Sequence, residues 1–206
     1  MFPIDSVLLT VSYLGVAVFS MTGALAAAEK KLDLLGYIFF AVLVGVGGGT
    51  TRDLLLNEPV FWIADATYIY LGVTGGVAGY VLVGPLGSAS KALVWFDAVG
   101  IAMFSVLGAV KANLLGHDPL VCVLMGSISA TMGGLIRDVV LNRDPLILGD
   151  EIYVTPSLVG GSLFLGLTHL SFTQPVAISI AVLVAFAVRA GALLFDWRLP
   201  NPDDGS

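Results

Sequence analysis

The sequence predicts an all-α membrane protein of seven transmembrane helices, arranged as two inverted three-helix repeats plus a seventh helix. Three observations predict it. The 206 residues are 57% hydrophobic and 12% charged, with mean hydropathy +0.97, against about 25% charged in soluble domains. Apolar runs recur at 7–28, 35–62, 67–84, 92–113, 119–143, 153–170 and 175–195, each near the about 20 residues that a spanning helix needs. One constant offset joins the first half of the chain to the second. No alternating ten-residue strands of a barrel appear.

The run 7–28 follows "MFPIDS", which carries Asp5 and neither Lys nor Arg. That head is wrong for a signal peptide, although "ALA" at 24–26 mimics a cleavage site, so the run is read as the first span. The runs 67–84 and 153–170 are the shortest and are rich in glycine. Trp62, Trp95 and Trp197 lie at segment ends, where interfacial anchors sit; Tyr68 and Tyr153 fit the same role. Lys30, Lys31, Lys91, Arg143 and Arg198 all fall on one side if the N-terminus is outside and the C-terminus cytoplasmic, with Lys111 the exception. The short loops fit a prokaryotic plasma (inner) membrane. Residues 1–200 form a single transmembrane domain, and the acidic 201–206 is a disordered tail.

A net charge of −6 gives no basic surface for nucleic acid. Cys122 stands alone, so no intrachain disulfide or thiol metal site forms. His117 and His169 lie far apart near segment ends. Neither a Ser-His-Asp set nor a P-loop is present, and no cofactor is implied. The potassium-filter sequence TVGYG is also absent. The reading is a non-enzymatic protein whose partner is membrane lipid.

The offset is 85. It joins Gly15 to Gly100, Phe19 to Phe104, Ser20 to Ser105, Asp33 to Asp118, Arg52 to Arg137, Asp53 to Asp138, Asn57 to Asn142, Asp65 to Asp150 and Tyr68 to Tyr153. The units run from about 12 to 84 and 97 to 169, leaving 175–195 as an extra helix. Three spans per unit is an odd number, so the second copy enters the membrane inverted.

Two motifs carry the chemistry, "GVGGGTTRDLLLN" at 45–57 and "SATMGGLIRDVVLN" at 129–142. Gly47, Gly48 and Gly49, mirrored by Gly133 and Gly134, read as breaks in the second and fifth helices, since each glycine costs about 1 kcal/mol against alanine in a helix interior. Close helix packing is the alternative. At a break, free carbonyls could meet a cation, and Thr50 and Thr51 would cap the second half-helix. Arg52, Asp53, Arg137 and Asp138 are too costly to be incidental, at about 2.5–3.5 kcal/mol each. Neighbours at i and i+1 do not face each other, so cross-pairs Arg52–Asp138 and Arg137–Asp53 are expected as an ion-pair lock. Ser20, Ser105 and Ser129 are candidate pore hydroxyls, with self-bonding to the helix as the alternative. Asp97 reads as a helix-start carboxylate.

This arrangement resembles the prokaryotic TRIC family of trimeric intracellular cation channels, over residues 7 to about 197. The second copy departs from the glycine motif, with Met132 before Gly133 and Gly134. The resemblance implies a potassium channel, a homotrimer with one pore per subunit between the broken helices, and potassium in transit near Asp138 with no fixed metal. It also implies a voltage-sensitive lysine in the fourth helix, matched here to Lys111. Relatives labelled as glycine transporters supply the rival reading, a carrier holding a small amino acid's carboxylate at half-helix N-termini near Thr50 and Leu135.

Overall fold

The computed structural model describes residues 6–82, 89–149 and 152–198; the 201–206 tail and Asp150 lie outside them. The chain is all-helical: α1 Ser6–Glu29, α2 Leu34–Leu55, the single turn α3 Phe61–Ala64, α4 Thr67–Leu82, α5 Ala89–Leu114, α6 Pro119–Val140, α7 Thr155–His169 and α8 Gln174–Phe195. A 3-10 turn, Leu146–Leu148, stands between α6 and α7. α1, α2, α5, α6 and α8 are each long and apolar enough to cross a membrane, and α4 is a shorter apolar helix. This is a multi-pass membrane protein.

The helix ends are written in local chemistry. Asp33 caps α2 by accepting from Gly36 N at 2.8 Å, and Asp118 caps α6 by accepting from Leu120 N at 2.8 Å. A side-chain oxygen here satisfies an N–H that the helix itself cannot. α1 closes with Lys31 at φ 54°, and α5 with Gly116 at φ 79°. In both, the next N–H reaches five residues back at 3.2 Å, Leu32 to Ala27 O and His117 to Ala112 O, the bond of a left-handed helix stop. Asn57 and Asn142 stop α2 and α6 the same way, at φ 54° and 48°. All these pairs are 85 residues apart.

Ser90 Oγ, near the start of α5, donates to Glu29 Oε1 at the end of α1 at 2.7 Å. Arg143, just past α6, pairs with the same Glu29 at 2.6 Å. Residues from the start of α1 and the end of α5 line one cavity at the opposite end. α1 and α5 therefore run antiparallel, as do α2 and α6. These four helices form the centre, with Phe19 stacked on Phe104 at 5.0 Å. α4 covers α1 and α2, while α7 covers α5 and α6; α8 lies on α5 and α7.

The expected breaks do not occur. α2 and α6 run as continuous α-helices through Gly47–Gly49 and Gly133–Gly134. The glycines serve a crossing instead. A Cβ on Gly48 would strike the Ser129 carbonyl oxygen, and one on Gly133 would stand 2.8 Å from the Val44 carbonyl oxygen. Backbone-to-backbone contact of this kind needs small residues, and its packing outweighs their poor helix propensity. Gly49 faces the Phe61 ring and Gly134 the Tyr153 hydroxyl, while Gly47 has only ordinary contacts. Nor do Thr50 and Thr51 cap a half-helix: with no new helix start present, their hydroxyls donate back to Val46 O at 2.7 Å and Gly47 O at 3.0 Å.

This separates two neighbouring glycines. Gly48→Ala should lower stability by about 1–3 kcal/mol, the usual cost of overpacking. Gly47→Ala should be neutral or gain up to about 1 kcal/mol of helix propensity. Thermal unfolding of the two variants in detergent, followed by size-exclusion recovery, checks the order; equal behaviour would mean the crossing tolerates a methyl group.

Candidate functional site

Both Arg-Asp pairs lie in the last turn and a half of their helices, and all four residues are buried. At the end of α2, Arg52 Nε donates to Asp53 Oδ1 at 2.8 Å, and Lys111 Nζ of α5 reaches that same oxygen at 2.7 Å. Asp53 Oδ2 accepts from Phe61 N at 2.9 Å. At the end of α6, Arg137 Nε donates to Asp138 Oδ1 at 2.8 Å and its Nη2 to Asp138 Oδ2 at 3.0 Å. Leu146 N donates to Asp138 Oδ2 at 3.3 Å, and Arg137 Nη1 donates to Asp97 Oδ1 at 3.0 Å.

The cross-pairs Arg52–Asp138 and Arg137–Asp53 are therefore absent, for two physical reasons. Each Arg stands four residues, about 6 Å, past the glycine at the crossing, and the two lie in opposite directions, so roughly 12 Å separates them along the bundle. The arginine stem is also long enough to fold back onto the carboxylate at i+1, which backbone direction alone does not reveal. The further partner comes from α5 in both halves, Lys111 at one end and Asp97 at the other.

Asp97 is not an interfacial helix start; it is 1% exposed and lies against a fully buried guanidinium. The Tyr153 hydroxyl sits beside it. The residue 85 earlier is Ser12, whose Oγ lies 3.0 Å from the Tyr68 hydroxyl. The halves thus share one plan of arginine, i+1 carboxylate, backbone N–H and tyrosine. They differ in what α1 or α5 adds: Arg137 sits between two carboxylates, whereas Arg52 shares its one carboxylate with a lysine. Lys111 is the least buried of this set, at 27% side-chain exposure. Beside it a cavity of about 220 Å³ is lined by Arg52, Lys111, Ser12, Tyr68 and apolar side chains.

The candidate hydroxyls divide. Ser105 Oγ donates to Ala102 O at 2.9 Å, the self-bonded alternative. Ser20 Oγ and Ser129 Oγ are buried without a hydrogen-bond partner. Trp95 and Trp197 are exposed, as anchors are, but Trp62 Nε1 donates to Thr50 Oγ1 at 2.9 Å. Arg189 of α8 escaped the sequence reading, although the rule that flagged the other intramembrane charges covers it. Its Nη1 donates to Ile152 O at 2.9 Å, and its guanidinium lies 5.3 Å over the Tyr153 ring. Asp65, in the link between α3 and α4, accepts from Tyr13 Oη of α1 at 2.6 Å. That bond, with further bonds from Thr67, holds the Asp65 carboxyl below its ordinary value.

A family model described as "Glycine transporter" matches the chain twice, over residues 9–83 and 94–169. The chain is 35% identical over 191 residues to the UPF0126 inner membrane protein YadS of Escherichia coli, covering 91% of this chain and 92% of that protein. It is 32% identical over 202 residues to a UPF0126 membrane protein of Vibrio cholerae, covering 95% and 83%. Among solved structures it resembles the TRIC trimeric intracellular cation channel orthologue from Rhodobacter sphaeroides, at TM-score 0.90 and 34% identity over 94% of this chain and 100% of that one. A prokaryotic TRIC channel in 0.5 M KCl matches at TM-score 0.86 and 28% identity, over 93% and 98%.

The two ends should respond differently to truncation. Asp97→Ala leaves a buried guanidinium with half its neutralisation and should cost about 3–5 kcal/mol. Ser12→Ala removes one hydroxyl contact and should cost about 0.5–1.5 kcal/mol. Thermal inactivation of the purified variants measures the difference, and comparable losses would remove the distinction between the halves.

Proposed function

The chain belongs to the prokaryotic TRIC family, whose model carries the description "Glycine transporter", and on that premise we propose that it is a monovalent cation channel conducting chiefly potassium. The observation that carries the reading is the likeness, over more than nine-tenths of the chain, to proteins described as TRIC cation channels. By the same likeness we assign a homotrimer with one pore per protomer, seven spans including α4 and α7, and two inverted repeats. We place it in the prokaryotic inner membrane, N-terminus outside.

The path runs between α2 and α6, beside the Gly48 and Gly133 crossing. That crossing is shut by backbone contact, so conduction requires the two helices to part. The buried, unpartnered hydroxyls of Ser20 and Ser129 support a hydrated route, because buried hydroxyls call for a partner and water supplies one. Asp53 and Asp138 act as locks that hold the arginines, since their oxygens are already engaged; potassium near Asp138 competes with a guanidinium. Lys111 is the gate. It carries a full charge, lines the open cavity and is held by one shared carboxylate. Moving such a charge through the membrane field is worth about 2.3 kcal/mol per 100 mV.

The family model's description favours a second reading, a carrier for glycine or another small amino acid. Its proposed substrate site at half-helix N-termini near Thr50 and Leu135 has no support, because α2 and α6 are unbroken there.

Planar-bilayer recording of the purified protein in asymmetric KCl should give discrete steps reversing near the potassium potential, and Lys111→Gln should keep conductance and lose voltage dependence across about ±100 mV. Silence in the bilayer, with saturable glycine uptake into liposomes, would assign the carrier. An unchanged open-probability curve in the variant would return Lys111 to a structural role.

A further inference from the structure

The two halves carry the same arginine and tyrosine at each end of the bundle but not the same third group. In the second half, Asp97 brings a carboxylate to Arg137 Nη1 at 3.0 Å, with the Tyr153 hydroxyl beside it. In the first half, Arg52 and Tyr68 hold the equivalent places, and the equivalent of Asp97 is Ser12, which is shorter and uncharged. The side chains of Ser12, Tyr68 and Arg52 front the cavity of about 220 Å³. The protein therefore contains, 85 residues on, its own example of a carboxylate seated between these groups.

We propose that this cavity binds a monocarboxylate with a short apolar tail, its carboxylate taking beside Arg52 the place that Asp97 fills beside Arg137. Charge favours it. Among the described residues, the charged side chains lining the cavity are Arg52 and Lys111, both cations. They share Asp53, whose Oδ1 already receives Arg52 and Lys111 and whose Oδ2 receives Phe61 N. Asp65 accepts from Tyr13 and Thr67 and does not line the cavity. One incoming carboxylate thus balances one excess cation through charge-assisted hydrogen bonds. An α-amino acid fits worse, because its ammonium would face two cations and, among the described residues, no free carboxylate. The remaining walls, among them Leu8, Leu107, Val110 and Leu114, suit an alkyl tail. A bound carboxylate also competes with Asp53 for Lys111, so occupancy bears on that ion pair. The proposal stands apart from the conduction reading, since its test reads binding alone.

Thermal unfolding of the full chain in detergent, titrated with sodium acetate, propionate and butyrate, tests the site. Sodium chloride, sodium phosphate and glycine at matched pH and ionic strength are the references. The expected result is a saturable rise in Tm with the carboxylates, affinity increasing roughly fourfold per buried methylene, and no rise with glycine. Ser12→Asp supplies the carboxylate from the chain itself; it should raise the ligand-free Tm and abolish the butyrate shift. Lys111→Gln, at a partly exposed side chain, should fold and lose roughly tenfold or more in butyrate affinity, which decides the matter if Ser12→Asp does not fold. A butyrate effect no larger than that of chloride overturns the site. So does an undiminished shift in Lys111→Gln, which would put the binding elsewhere, or saturation by phosphate without carboxylate, which would assign a different anion.

Discussion

A guanidinium inside an apolar bundle has to be neutralised where it stands, and much of this structure follows from doing that twice. Arg52 and Arg137 each fold back onto the next residue's carboxylate. That carboxylate is fixed in turn by a backbone N–H at the start of the following short helix, Phe61 in one half and Leu146 in the other. The short turns after α2 and α6 are thereby tied to the helices they leave. Breaking one partner of such a set strands a buried charge, which is costlier than the intact set is stabilising. The tie extends to α5, through Lys111 and Asp97. It also reaches the α8 side, where Arg189 lies over Tyr153, the tyrosine beside Asp97.

The second constraint is the crossing of α2 and α6. Gly48 against the Ser129 carbonyl and Gly133 against the Val44 carbonyl are the same contact seen from each copy, since 44 and 129, like 48 and 133, are 85 apart. The crossing sits between the two charge clusters and fixes their separation. It also explains why the clusters stay apart as two locks and do not join into one. In lipid no hydrophobic effect drives helices together, so backbone proximity of this kind is a main source of association.

Much of this was legible in the sequence. The apolar runs located the helices to within a few residues, except that the run 35–62 continued past the end of α2 at Leu55 into the separate turn α3; the offset of 85 joined Asn57 to Asn142, and the structure makes both of them helix stops, as it does Lys31 and Gly116. The glycine runs were misread because adjacent glycines signal a break and a close contact alike; only the partner helix, here Ser129 and Val44, decides. The cross-pairing failed because helix geometry places Cβ atoms, whereas a long arginine side chain chooses its own partner. Tyr68 and Tyr153, read from the sequence as interfacial anchors, are instead buried beside Arg52 and Arg137; their roles, like that of Ser12, depend on which arginine they stand beside. Asp97 could have been assigned, as a carboxylate within an apolar run; so could Arg189, by the rule already applied to its neighbours.

Duplication supplies two like ends, and substitutions make them unequal; one of them puts Arg143, 3.9 Å from Asp138, where the other copy has Glu58. At one end, Asp97 stands where the other copy has Ser12, and the arginine lies between two carboxylates, fully buried. At the other, Lys111 stands where the other copy has Ala26, and one carboxylate is divided between two cations, one of them partly exposed beside a cavity. A buried, doubly satisfied lock resists an applied field or a ligand, because moving any member leaves a charge unpaired in low dielectric. A shared pair with one partly exposed member resists much less, because Lys111 can leave while Arg52 still neutralises Asp53. The end carrying Lys111 is therefore the one at which a modest energy can change the structure, while the end carrying Asp97 keeps the bundle assembled as it does so.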